Sequence, residues 1–253
     1  MNSATLDSFF RSILYIEDLS GIDPSLNGLQ VDNDGTQIDK LAFAVDASLE
    51  TITRAAAAGA GLLFVHHGLF WGRPLPITGN LHSRIKALID NNLALYAVHL
   101  PLDQHPQVGN NAVLARLLGI VEPEPFGVYH GRKIGYKGRL LNPLSIDEAV
   151  KRITFMGRPP LGVYAFGKEK SETCAVVSGG AAEQARDALE EGIDLYVTGE
   201  ASHSVYNDAL EGHLNMIAGG HYATEVWGVH AVMERAADLS GLNVEFIDVP
   251  TGL

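Results

Sequence analysis

Two adjacent histidines, His66-His67, close the apolar run Leu62-Leu63-Phe64-Val65. Twice more a histidine is followed four residues later by an acid, His99 by Asp103 and His221 by Glu225. Neutral imidazole is a preferred ligand of transition metals, and carboxylate oxygens suit the harder divalent ions. The nitrogens of His66, His67 and His221 with the carboxylates of Asp103 and Glu225 make a donor set for two hydrolytic ions about 3.5–4 Å apart. Such a mixed set accepts Zn²⁺, Mn²⁺, Fe²⁺ or Co²⁺ and does not choose among them. His99 is read as the proton-moving catalytic residue, because its unperturbed pKa lies near neutrality. Each residue also has a plain reading. A single strand-end histidine is usually hydrogen-bonded structure, Asp103 could cap a turn, and Glu225 could be a solvated acid. Five such residues at equivalent places favour the metal. His82, His105, His130, His213 and His230 keep the plain reading. Glu200 and His203 are open between capping and the site.

These side chains need elements to hold them. Leu41–Val45, Leu62–Val65, Leu93–Val98, Lys133–Leu141, Tyr164–Phe166, Cys174–Val177, Leu195–Val197, Met216–Ala218 and Val244–Val249 read as strands. Between them lie helical patterns at Leu6–Ile16, Glu50–Ala58, Leu81–Asn91, Asn110–Leu118, Ser145–Ile153, Glu183–Glu191, Ser202–Leu210 and Thr224–Leu239. Alternation of short apolar strands with amphipathic helices predicts an α/β fold. Pro123, Pro125 and Gly127 mark a boundary. The first half is taken as 1–125, completed by 226–253, and the second as 126–225.

The halves repeat one another. Phe43-Ala44-Val45-Asp46 matches Ala175-Val176-Val177-Ser178, and the strand before His66-His67 matches Leu195-Tyr196-Val197. The strand before His99 matches the one before His221. In such sheets functional groups gather beyond the carboxyl ends of strands. If the two copies face each other, all the histidines meet in one cleft. Ser178-Gly179-Gly180, between strand and helix, is a possible anion-holding turn or simply a tight one. Gly68 would let the backbone turn after the histidine pair. Trp71 by default packs in the core, with shielding of the site or packing at a subunit contact as the alternatives.

Composition bounds the alternatives. The 253 residues are 46% hydrophobic with formal net charge −12, which suits a compact α/β protein and disfavours a nucleic-acid partner. The single cysteine, Cys174, sits in an apolar run and allows no intrachain disulfide. No signal peptide is read at the N-terminus, and the longest apolar stretch is shorter than the roughly 20 residues of a membrane span. A cytoplasmic protein with a small-molecule substrate is expected, without a membrane partner.

Asn27-Gly28-Leu29-Gln30-Val31, His66-His67-Gly68-Leu69-Phe70-Trp71, His99-Leu100-Pro101-Leu102-Asp103 and Gly220-His221-Tyr222-Ala223-Thr224-Glu225 resemble the Nif-three-like family over nearly the whole chain. The bacterial members of that family carry the label GTP cyclohydrolase 1 type 2 homologue. The resemblance implies two intertwined, duplicated α/β halves with a dinuclear metal site at their interface, and a homo-oligomer in the form of a ring-shaped hexamer. The family ligands map onto His66, His67, Asp103, His221 and Glu225. It further implies a metal-dependent hydrolase of a small nucleotide-like or heterocyclic substrate. The alternative is a metal-binding regulatory or chaperone-like scaffold without turnover.

Overall fold

The computed structural model describes residues 1–253. The chain divides into two compact units, Met1–His105 with Val229–Val249, and Pro106–Gly228 with Pro250–Leu253. No helix is long and apolar enough to cross a membrane.

The first unit begins with α1 (Ser3–Leu14), β1 (Gly28–Val31), β2 (Lys40–Asp46), α2 (Leu49–Ala57), β3 (Leu62–His67), α3 (Gly79–Asp90), β4 (Ala94–Ala97) and α4 (Leu100–Gln104). The second contains α5 (Asn110–Leu118), β5 (Ile120–Tyr129), β6 (Arg132–Leu144), α6 (Ile146–Ile153), β7 (Gly162–Tyr164), β8 (Ser171–Val177), α7 (Ala185–Glu190), β9 (Leu195–Thr198), α8 (His203–Glu211) and β10 (Asn215–Ala218). The unit boundary at Gly228/Val229 falls inside α9 (His221–Ser240), and β11 (Asn243–Phe246) returns to the first unit.

In the first sheet the order is β1-β4-β3-β2-β11. Strands β11, β2, β3 and β4 run parallel, and β1 runs antiparallel along the β4 edge. Strands covered on both faces need continuous apolar runs. Leu41 to Val45 and Leu62 to Val65 supply them and are buried throughout. One face packs Ala42, Leu63, Val65 and Leu95 against Ile52, Ala55 and Leu88. On the other, Phe10 of α1 meets Phe64 and Tyr96 at ring-centroid distances of 5.1 and 4.9 Å.

The second sheet has the order β5-β6-β8-β9-β10-β7. Its β8, β9 and β10 are parallel, with β7 antiparallel on the β10 edge. Thus β7-β10-β9-β8 repeats β1-β4-β3-β2, as the internal similarity predicts. A capping box at Ser145 and Glu148 starts α6 within the expected helical stretch. Cys174 is fully buried in β8, and burial pushes its thiol pKa up, so it is a packing residue.

Three local readings change. Pro123, Pro125 and Gly127, expected as a loop-like boundary, lie inside β5. Strand β5 is a sheet edge, where a missing N–H is tolerated, and the register shifts between Val121 and Glu124 absorb the kink. Gly28–Val31, in a stretch rich in turn residues, forms β1. Leu100–Gln104, where Asp103 could have capped a turn, is a short helix with Pro101 in its first turn, a position that does not need the N–H.

Candidate metal centre

The site residues fall into one cluster in each unit. In the first, β3 delivers His66 and His67 at the carboxyl end of the parallel sheet. Neighbouring side chains on a strand normally diverge, yet these two rings lie 4.6 Å apart. Each is pulled by its own acceptor. His66 Nδ1 lies 2.9 Å from the Val98 carbonyl oxygen, and His67 Nδ1 lies 2.8 Å from Asp46 Oδ1. Asp46 is the register partner of His67 on β2.

His99 follows β4 and caps α4. Its Nδ1 is 2.9 Å from Asp23 Oδ1, and its backbone N–H donates to Asn27 Oδ1 at 2.7 Å. The Asp23 side chain is wholly buried. It also accepts from the Ser25 and Leu100 N–H groups and from the Asn27 amide, at 2.9, 2.9 and 2.8 Å. Burial alone would raise the pKa of Asp23. The hydrogen bonds and charge of His99, with those of Asn27 and Ser25, outweigh it and hold the carboxyl below its usual value. The His66 and His99 rings are 5.1 Å apart, and one donor atom from each of His66, His67 and His99 lies within 4.8 Å of the others. Asp103, on the first turn of α4 and 5% exposed, brings Oδ2 to 3.6 Å from His66 Nε2.

In the second unit α9 starts at His221, directly beyond β10. The i,i+4 spacing along the helix brings Glu225 Oε1 to 3.1 Å from His221 Nε2, while His221 Nδ1 lies 2.5 Å from Glu200 Oε1. Glu225 is 3% exposed. Burial would lower the His221 pKa. The hydrogen bonds and charges of Glu225 and Glu200 reverse that and raise it to about 9. His221 is therefore an imidazolium between two carboxylates at neutral pH, and a cation at Nε2 would take the place of that proton.

The four histidines share one arrangement. Each Nδ1 faces an oxygen that can only accept: the Val98 carbonyl, or the carboxylates of Asp46, Asp23 and Glu200. In a neutral ring this places the proton on Nδ1 and the lone pair on Nε2. Oriented imidazoles of this kind are what metal sites use. The donor chemistry in each unit, Nε2 atoms beside buried carboxylates, fits divalent metal ions.

Two glycines make room. A Cβ at Gly68 would collide with the Gln30 amide and with Ala97 Cβ, so close approach rather than a special turn requires glycine there. Gly179, at φ +65°, lies against Glu225, and a Cβ would strike Oε1 and come within 3.3 Å of His221 Nε2. The Ser178-Gly179-Gly180 turn is thus no anion cradle. Its first two N–H groups donate to Asn111 Oδ1 and Thr224 Oγ1, and a carboxylate occupies the space a phosphate would need.

Sequence reasoning missed Asp23 and Asp46 and left Glu200 undecided. Of the histidines given the plain reading, His105 Nε2 lies 2.9 Å from the Ile13 carbonyl oxygen and His230 packs on Phe246. His203 opens α8, whose cap is Ser202.

Residues 1–251 match the family model described as Duf34/NIF3 (NGG1p interacting factor 3). A protein of Treponema pallidum (strain Nichols), named GTP cyclohydrolase 1 type 2 homolog, is 39% identical over 286 residues, covering all of both chains. A Deinococcus radiodurans protein of the same name is 44% identical over 91% of this chain and 88% of its own. A solved structure from Thermus thermophilus superposes with TM-score 0.87 at 41% identity over the whole of both chains. The protein ybgI, described as of unknown function, superposes with TM-score 0.90 at 35% identity over the same extent.

Proposed function

The chain belongs to the DUF34/NIF3 family, and from that premise we propose that it is a dinuclear-metal-dependent hydrolase of a small nucleotide-like or heterocyclic substrate. The observation that carries the reading is the shared clamp on Nδ1 of His66, His67, His99 and His221, beside the buried acids Asp103 and Glu225. A hydrolytic zinc ion typically takes three protein ligands and leaves one position open. Two ions therefore need more donors than His221 and Glu225 provide, and the centre is proposed with the ligand set that the family resemblance implies. His66, His67, Asp103, His221 and Glu225 are its ligands. Divalent ions bound there would act as Lewis acids and lower the pKa of water towards about 7.

The remaining work falls to the chain. Asp46 and Glu200 hold His67 and His221 in the ligating tautomer. Asp23 holds the His99 ring so that Nε2 is the free proton acceptor, the role of a general base. The relatives' printed name motivates a nucleotide-like substrate. The hexameric ring and a cytoplasmic location complete the proposal. Light scattering and cell fractionation test them.

Elemental analysis of wild type and of the H66A/H221A double variant tests the centre. About two ions per chain are expected in the wild type and loss of both in the variant. Turnover on a hydrolase panel that disappears in E225Q completes the assignment. A metal-loaded protein inert on that panel would instead make this a metal-binding scaffold.

A further inference from the structure

Beside the first cluster lies a second feature that the ligand set does not use. A cavity of about 400 Å³ opens among Asp23, Ser25, Leu26, Phe70, Trp71 and Arg73, a volume within the range of small-molecule sites. Its walls are two segments bonded to each other. Leu26 N–H donates to the Phe70 carbonyl at 3.0 Å, Gly72 N–H donates to the Pro24 carbonyl at 2.5 Å, and Ser25 pairs with Trp71 as an antiparallel bridge. The Trp71 indole is fixed, since its Nε1–H donates to the Gly68 carbonyl at 3.0 Å. Its ring stands edge-on to His99 with centroids 4.9 Å apart. A molecule lying on Trp71 is therefore next to the histidine cluster.

We propose that this cavity binds a planar ring bearing an anionic group, a carboxylate or a phosphate ester, with Trp71 against the ring and Arg73 on the anion. Three observations support the chemistry. Arg73 lines the cavity, is exposed and is paired with no carboxylate. Its planar fork matches both anions in bidentate fashion. The Asp23 carboxylate in the same wall is buried and already accepts four hydrogen bonds, so it leaves Arg73 to the ligand. Ser25 is 7% exposed, and its hydroxyl is buried without a hydrogen-bond partner. A buried hydroxyl left unmet is costly, and this one belongs to a residue that lines the cavity. The binding stands on these residues alone. Only the description of the occupant as substrate rests on the hydrolase reading.

The test uses the full chain stripped of metal by chelation, so that a failed metal assignment does not affect it. The indole N–H resonance of Trp71, assigned with W227F, is followed during titration with phenyl phosphate, benzoate and benzyl alcohol. Both anions, or one of them, are expected to shift it saturably, with benzyl alcohol about tenfold weaker or worse. The tighter anion names the class. R73Q should abolish the preference for the anion and keep the metal content of the wild type. R73K should keep part of the preference, and S25A should weaken anion binding without loss of stability. The absence of any saturable shift would overturn the proposal, as would an anion preference retained in R73Q. A preference lost in H66A/H67A but kept in R73Q would assign the anion to the imidazoles and overturn it equally.

Discussion

Gly179→Ala separates the needs of the backbone from those of the site. Gly179 has φ +65°, and an alanine there takes on the left-handed conformation at a cost of about 1–2 kcal/mol. Its new methyl also occupies the space of Glu225 Oε1, well inside the 3.0 Å that real Cβ contacts respect. The carboxylate must turn away from His221 Nε2, now 3.1 Å distant. A hydrogen bond to a charged group contributes about 1.5–3 kcal/mol, so the total loss is about 2.5–5 kcal/mol. Gly192 supplies the control, because its φ is +68° and nothing lies within 4 Å of its Cβ position. Gly192→Ala should show the backbone cost alone. In a chain of this length each kcal/mol lowers Tm by about 2–4 °C, so calorimetry resolves the two variants. Metal affinity, measured by competition with a chromophoric chelator, should fall about 10–100-fold in Gly179→Ala and stay unchanged in Gly192→Ala. If Gly179→Ala keeps wild-type affinity and matches Gly192→Ala in Tm, the packing of Gly179 against Glu225 does not set the ligand's position.

Four further outcomes are expected. Asp46→Asn should weaken metal binding about 10–100-fold with little change in Tm, because it frees the His67 ring rather than removing a ligand; equal affinities would show that the clamp is idle. Chelation should lower Tm by about 5–10 °C, since ligand at 100 times its Kd contributes about 2.7 kcal/mol, and calorimetry before and after metal return measures it. In the metal-free protein the raised pKa of His221 stabilises fully below its unfolded value of 6.5, and that stability is lost as pH rises through about 9. Urea titration across that window should show the loss, and Glu200→Gln should shrink it. His230 has the opposite sign. Burial depresses its pKa despite Glu234 and Asp248, so the unfolded chain binds the proton first and stability falls as pH drops below 6.5; urea midpoints that stay flat below that pH in wild type would remove the buried neutral imidazole.

The parallel strands were legible because burial on both faces forces unbroken runs such as Leu62 to Val65. So were the histidines, because strand ends in this class of sheet collect function. Their partners were not. Asp23 lies 76 residues from His99, while Asp46 and Glu200 each lie 21 residues from the histidine they hold. The equal spacing is no signature of the repeat, for Asp46 and His67 end β2 and β3, whereas Glu200 and His221 follow β9 and β10. Gly68 and Gly179 were visible as glycines, but only the neighbours in space reveal why no side chain fits. Pro123 and Pro125 misled because composition cannot tell an edge strand from a loop.

The repeat itself is correct in the order of its strands and shifts by one residue both in β2 against β8, where Phe43 corresponds to Val176, and at the site. Leu62 pairs with Ala94 in one copy and Leu195 with Asn215 in the other, so Ala97 corresponds to Ala218. His99 then corresponds to Gly220, not to His221, and His221 corresponds to Leu100. Helices α4 and α9 start at equivalent places, with Asp103 on the first turn of α4 and Glu225 just past the first turn of α9. What each acid meets differs. Asp103 faces His66 from the adjoining strand, whereas Glu225 faces the histidine of its own helix. The equivalent of His67 is Glu200, which clamps an imidazole where His67 is itself clamped. One strand-end position thus presents an imidazole that could hold a metal in the first copy and an orienting carboxylate in the second. The two copies therefore share the order of their strands while the side chains at matched strand ends differ in chemistry.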